Sequence, residues 1–109
     1  MYERARAIVQ PGVNEIDVYN ELQAVAARTL GEPLTYFGQD FRSAARGGAP
    51  RNRTIEAGEL YIFDLGVGFR GYYSDNCRTL AVGGQPTALQ QKAWNAVSAA
   101  FPFIEENVQ

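Results

Sequence analysis

Two aspartates carry the most pointed chemistry in this chain. Asp64 lies within Leu60 to Val67, a run of aromatic and branched residues, and Asp75 lies within Tyr72 to Val82, beyond a glycine-flanked turn. If the two segments pair around a four-residue turn, Gly68 to Gly71, so that Val67 faces Tyr72, Asp64 stands directly opposite Asp75. Directly paired side chains project onto one face with Cβ atoms about 5 Å apart. Two like charges so placed in an apolar strand repel each other, and little water is there to screen them. Three things could compensate: a proton shared between the carboxyls, an arginine such as Arg78, or a divalent cation that both carboxylates ligate. The sequence has no Asp-Thr-Gly or Asp-Ser-Gly context for an aspartic-protease-like dyad, and the cation is the most economical of the three. The plainer alternative is that the aspartates are turn formers or exposed charges. Their distance from the turn and their apolar surroundings weigh against it. Cys77 alternates onto the face of Asp75, where a ligand role is conceivable, although a lone cysteine is more often a small core residue.

The rest of the composition narrows the field. The chain has 109 residues, 46% of them hydrophobic, 20% charged, one cysteine and no histidine. Without histidine it holds no Ser-His-Asp triad, no Cys-His pair and no zinc site that needs imidazole from this chain alone. A formal net charge of -2 gives no basic footprint for nucleic acid or an anionic membrane. One cysteine allows no internal disulfide and suits a reducing compartment. No apolar run reaches membrane-span length and residues 1–10 carry charges where a signal peptide would be apolar, so the expected location is the cytoplasm.

The elements that must position the aspartates follow from periodicity. Tyr2 to Val9 reads as a short helix stopped by Pro11-Gly12. Asn14 is placed to cap a second helix, with Glu15 and Asp17 in its first turn, Ile16, Tyr19, Leu22 and Leu30 at helical spacing, and Gly31 at its end. Leu34–Phe37 and Asp40–Ala45 read as short β pieces, followed by a Gly-rich segment to Pro50. Arg51, Arg53 and Glu56 read as a solvated connection. Leu60–Val67 has the composition of a central strand, and Tyr72–Val82 returns beside it. Thr87 and Gln90 have capping-box spacing at the start of a last helix, whose apolar stripe runs through Leu89, Ala93, Val97, Phe101 and Ile104, with a kink expected at Pro102.

The string F-D-L-G-V-G-F-R-G-Y-Y-S-D-N-C-R-T, Phe63 to Thr79, resembles the pita-bread metallopeptidases: methionine aminopeptidase, aminopeptidase P, prolidase and creatinase. The P-G-V-N-E-I-D segment from Pro11 and the A-G-E-L before the aspartate strand follow the same order. The resemblance spans nearly the whole chain. It implies an α+β fold, half of a pita-bread (creatinase/aminopeptidase) fold, with an antiparallel sheet and long helices packed on one face. It also implies two divalent metal ions (Mn, Co or Zn) bridged by water or hydroxide and held by two Asp, one His and two Glu. Asp64 matches the first aspartate and Asp75 the bridging one. The Arg-Thr at Arg78-Thr79 looks more like aminopeptidase P and prolidase, which favours peptide substrates with proline second.

The chain departs from that pattern at two places. Three residues before Pro50, where many members carry a histidine that contacts substrate, it has Gly47. The metal-binding His and both Glu belong to a second, pseudo-symmetric half, so residues 1–109 read as the N-terminal half of a pita-bread catalytic domain. The expected partners are a peptide substrate and the C-terminal half, downstream or on a second chain, with no nucleic acid and no membrane; a homodimer is left open. The expected activity is that of a metal-dependent aminopeptidase of the Xaa-Pro type, with this chain inactive alone, since two aspartates hold a divalent ion weakly. The alternatives are a non-catalytic binding protein of the same fold, which Gly47 favours, and a structural α+β domain with an unrelated hairpin.

Overall fold

The computed structural model describes residues 1–108. It has four helices and a four-stranded antiparallel sheet: α1 (Tyr2–Ile8), α2 (Glu15–Leu30), β1 (Tyr36–Ser43), β2 (Leu60–Phe69), β3 (Tyr72–Tyr73), β4 (Cys77–Ala81), α3 (Ala88–Ser98) and α4 (Ala100–Asn107). Strand β2 is central. β1 pairs along one side, and β3 and β4 follow one another along the other.

Residue alternation divides the sheet into two faces. Phe41, Tyr61, Phe63 and Leu65 point to one of them and close a buried core with Ala5 and Val9 at the first helix and with Val18 and Leu22 of α2. The opposite face carries Asp40, Asp64 and Cys77 in one row, because Asp40 pairs with Asp64 and Asp64 with Cys77. Helix α2 starts where the sequence places it, with the Asn14 side chain accepting from the Ile16 amide at 2.9 Å, and it stops at Gly31 in the left-handed region, φ 73°.

Four sequence expectations need correction. The two β pieces after Leu34 are one continuous strand, since the β1–β2 ladder runs unbroken from Tyr36↔Gly68 to Ser43↔Tyr61. The hairpin turn has two residues rather than four: Arg70 and Gly71 both take positive φ, 48° and 83°, as a type I′ turn requires. Gly68 therefore belongs to the strand, paired with Tyr36 and Tyr73. The last helix is divided at Ala99, and Pro102 falls in the first turn of α4, where its missing N–H breaks no helical hydrogen bond. The apolar stripe of α3 and α4 is not buried: Leu89, Val97, Phe101 and Ile104 are all exposed, as is Trp94. Among the described residues no helix is long and apolar enough to cross a membrane.

Candidate metal centre

The tighter turn moves the register by two residues. Asp64 faces Cys77, not Asp75 as the four-residue turn predicts. Residues 74–76 leave the regular ladder, but Ser74 N donates to Val67 O and Leu65 N to Asn76 O, both at 3.0 Å, which keeps Asp75 level with Gly66. Asp64 and Asp75 are thus diagonal neighbours on one face, a separation that long side chains normally bridge. Gly66 between them has no side chain to intervene, and a Cβ there would press on Ser74 O at 3.3 Å and Gly38 O at 3.4 Å. The two carboxyls come within hydrogen-bonding reach.

The surroundings of Asp64 disfavour its negative charge. Burial raises the Asp64 carboxyl above its ordinary value, and the charge of Asp75, a hydrogen bond to Asp75 and the charge of Asp40 push it the same way. Arg78 gives no relief. It pairs with Phe63 and so projects to the opposite face, where its guanidinium donates to Cys77 O at 2.7 Å and lies 6.0 Å from the Tyr2 ring centroid. Cys77 is exposed, not a core residue, because it shares with Asp64 the face opposite the core. Burial and then the neighbouring Asp64 and Asp40 raise its thiol pKa, which disfavours the thiolate a metal would need.

Paired carboxylates with no cation of their own suit a hard or borderline divalent ion, which takes oxygen donors. Among the described residues no group of three or more His, Cys, Asp or Glu is arranged to hold a metal, so two carboxylates could supply only one side of such a site. Nor do Asp64 and Asp75 line either main groove of the molecule, of about 730 and 410 Å³. Further walls and donors are needed before the aspartates sit in a closed pocket.

The segment from Gly47 to Pro50 runs along the outer edge of β1. Gly48 O accepts from Phe41 N at 2.9 Å, Ala49 O accepts from the Arg42 side chain at 2.7 Å, and Gly48 N donates to Asp40 Oδ1 at 2.5 Å. A Cβ at Gly47 (φ 136°) would lie 2.7 Å from the Asp40 carboxyl carbon. The histidine of the resembling family therefore has no space here while Asp40 keeps this position.

What the sequence reading missed is the second carboxylate system, a few residues away along the same strands. Glu15 is fully buried and Arg51 is its counter-ion. Oε1 accepts from Arg51 Nη2 at 2.6 Å and Ser43 N at 3.1 Å, and Oε2 from Arg51 N at 2.8 Å and Nε at 3.0 Å. Burial raises the Glu15 carboxyl, but the Arg51 and Ser43 hydrogen bonds outweigh it and the net shift is downward. Glu59 pairs with Arg53 and accepts from Ser43 Oγ at 2.7 Å. The Arg53 hydrogen bond dominates and brings its pKa down to about 2. The connection read as solvated is a clamp between α2, β1 and β2. The usable signal was an acidic residue in the first turn of a helix with two arginines after a proline, too common a pattern to stand out.

The chain is similar to known proteins in sequence and fold. Metallopeptidase family M24 matches residues 1–108. An uncharacterized peptidase of Bacillus subtilis, YqhT, is 34% identical over 93 residues, 82% of this chain and 26% of its own length. The methionine aminopeptidase of Treponema pallidum is 34% identical over 87 residues, 71% and 33%. The Xaa-Pro dipeptidase of Lactobacillus delbrueckii is 33% identical over 98 residues, 83% and 26%. Among solved structures, the prolidase from Pyrococcus furiosus superposes with a TM-score of 0.71 at 27% identity, covering 88% of this chain and 29% of that one. The chain thus spans about a quarter to a third of the length of the relatives it matches. Its antiparallel sheet with helices is part of the pita-bread fold, and the chain belongs to metallopeptidase family M24.

Proposed function

We propose that residues 1–109 form the N-terminal half of a pita-bread catalytic domain, and that Asp64 and Asp75 are its contribution to the two-metal centre of an aminopeptidase of the Xaa-Pro type. The observation that carries this reading is the pair of neighbouring carboxyls with no arginine partner, whereas Glu15, Glu21, Glu32 and Glu59 are each paired with an arginine. Divalent ions, when bound, would supply an activated water nucleophile and polarise the scissile carbonyl. The task of this chain is to hold two carboxylates side by side on a rigid strand pair, ionised once a cation is present. Peptide hydrolysis would need the remaining ligands from the second half, so the 109-residue chain alone is inactive.

Proline preference is supported by Arg78-Thr79 after the aspartate and by the names of two relatives, a prolidase and an Xaa-Pro dipeptidase. The methionine aminopeptidase relative is equally similar and defines the competing outcome. The coding sequence downstream of Gln109 should carry a histidine in a Gly-His-Gly context and two glutamates in strand contexts. The complete gene product with Mn²⁺ should cleave peptides with proline second in preference to peptides beginning Met-Ala. The reverse preference would replace the substrate assignment, and absence of the histidine and glutamates would remove the catalytic one.

A second reading has its own support. Gly47 and Asp40 leave no room for the side chain that family members place there, which favours a non-catalytic protein that uses the same fold to bind peptides or proteins. Complete gene product that binds no Mn²⁺, Co²⁺ or Zn²⁺ in calorimetry fits this second reading, and measurable turnover of a proline-containing peptide excludes it.

A further inference from the structure

Asp75 sits on the one stretch of the hairpin that lacks a regular ladder, residues 74–76, yet its carboxyl has to meet that of Asp64. Something besides strand pairing has to fix this stretch. Leu65 N donates to Asn76 O at 3.0 Å, and Val67 N is satisfied by Ser74 Oγ at 3.1 Å instead of by a main-chain carbonyl. The remaining anchor comes from a distant part of the chain. The Tyr2 hydroxyl, on α1, donates to the same Asn76 carbonyl and lies 3.4 Å from the carbonyl of Phe63. These carbonyls belong to the residue after Asp75 and the residue before Asp64. One phenolic oxygen therefore touches the backbone next to each candidate ligand, from the face of the sheet opposite the carboxylates. Arg78 lies over the Tyr2 ring, 6.0 Å from the centroid, while its guanidinium donates to Cys77 O at 2.7 Å.

We propose that Tyr2 is a positioning residue for the metal centre: its hydroxyl donates to the Asn76 carbonyl, next to Asp75, while lying against the Phe63 carbonyl, next to Asp64, and thereby fixes the spacing of the two aspartates. This inference rests on the reading of those aspartates as metal ligands. Outer partners that orient metal ligands typically matter 10- to 100-fold for affinity. A hydroxyl acting through the backbone belongs at the lower end of that range.

Tyr2→Phe removes the hydroxyl and keeps the ring against Arg78. In the complete gene product, titrated calorimetrically with Mn²⁺ alone, this variant should bind about tenfold more weakly than the parent. Arg4→Ala, which removes the Arg4–Glu21 ion pair of the same helix, should bind within about twofold of the parent, a loss too small for any ligand-orienting role. Hydrogen exchange of the Leu65 amide in metal-free protein should quicken in Tyr2→Phe and not in Arg4→Ala. That second readout needs no metal and covers a variant with altered binding stoichiometry. Mn²⁺ affinity within twofold of the parent, or an unchanged Leu65 amide, overturns the inference. A parent that binds no Mn²⁺, or whose Asp64→Asn variant binds it equally well, overturns the assignment of the aspartates instead.

Discussion

Two regions along the same strands carry carboxylates, and the chain treats them in opposite ways. At one end of β1 and β2, Glu15 and Glu59 are each met by an arginine and by main-chain or hydroxyl donors, so every oxygen of the buried Glu15 is satisfied from within. Midway along the same strands, Asp64 is met by Asp75 and Asp40, while Arg78 is turned to the other face and Arg42 donates to the Ala49 carbonyl. A buried charge that is fully compensated belongs to the architecture, and its removal is costly. A like-charge pair left uncompensated is a cost the fold carries for something outside itself. The contrast sets arginine-paired carboxylates apart from a pair that lacks such a partner, and the proposed metal role of Asp64 and Asp75 rests on it.

Glu15→Ala should produce the largest effect. It strands the Arg51 guanidinium and two main-chain donors, Ser43 N and Arg51 N, and denaturant unfolding should show a loss of about 3–5 kcal/mol. A loss below about 1 kcal/mol would erase the distinction between the two regions, since it would make Glu15 no more structural than a surface charge.

The Glu59 pair should show itself in acid. Its carboxyl sits at about 2 in the fold, below the ~4.5 of an unfolded chain. Its stabilisation, on the order of 3 kcal/mol, is therefore present above pH ~4.5 and lost as pH falls from there to ~2. Glu59→Gln should flatten stability over that window, and an unchanged acid limb would contradict the assignment.

Gly47→Ala comes next. The new Cβ meets the Asp40 carboxyl at 2.7 Å with φ at 136°, so thermal unfolding should report a loss of about 1–3 kcal/mol. Asp40→Ala in the same background should recover part of it, while an unaffected single variant would mean that the loop can move off Asp40.

The smallest effect has the opposite sign. Asp64→Asn in metal-free protein should be neutral or stabilising by less than about 1 kcal/mol, because it removes one member of a repelling pair. A substantial loss would move Asp64 into the structural class with Glu15.

The sequence carried much of this. The Asn14 cap, the left-handed Gly31, the Thr87–Gln90 capping box and the central strand are local signals, each written within a few residues. So was the proximity of Asp64 and Asp75, since both readings of the hairpin put them on one face. The register was not legible, because it depends on Arg70 adopting positive φ, which a non-glycine residue rarely does. The arginine clamp was hidden for another reason. Its partners lie 36 residues apart in Glu15 and Arg51, and only tertiary packing decides that a charge in a first helical turn is buried. Tyr2 was similarly invisible, as its partner Asn76 is 74 residues away.

The central claim is that Asp64 and Asp75 wait for a cation. Calorimetric titration of the complete gene product with Mn²⁺, alongside its Asp64→Asn and Asp75→Asn variants, tests it most directly. The account predicts binding by the parent and a loss of at least about tenfold in each variant, without loss of fold. Equal binding by all three proteins, or none by the parent, would contradict it.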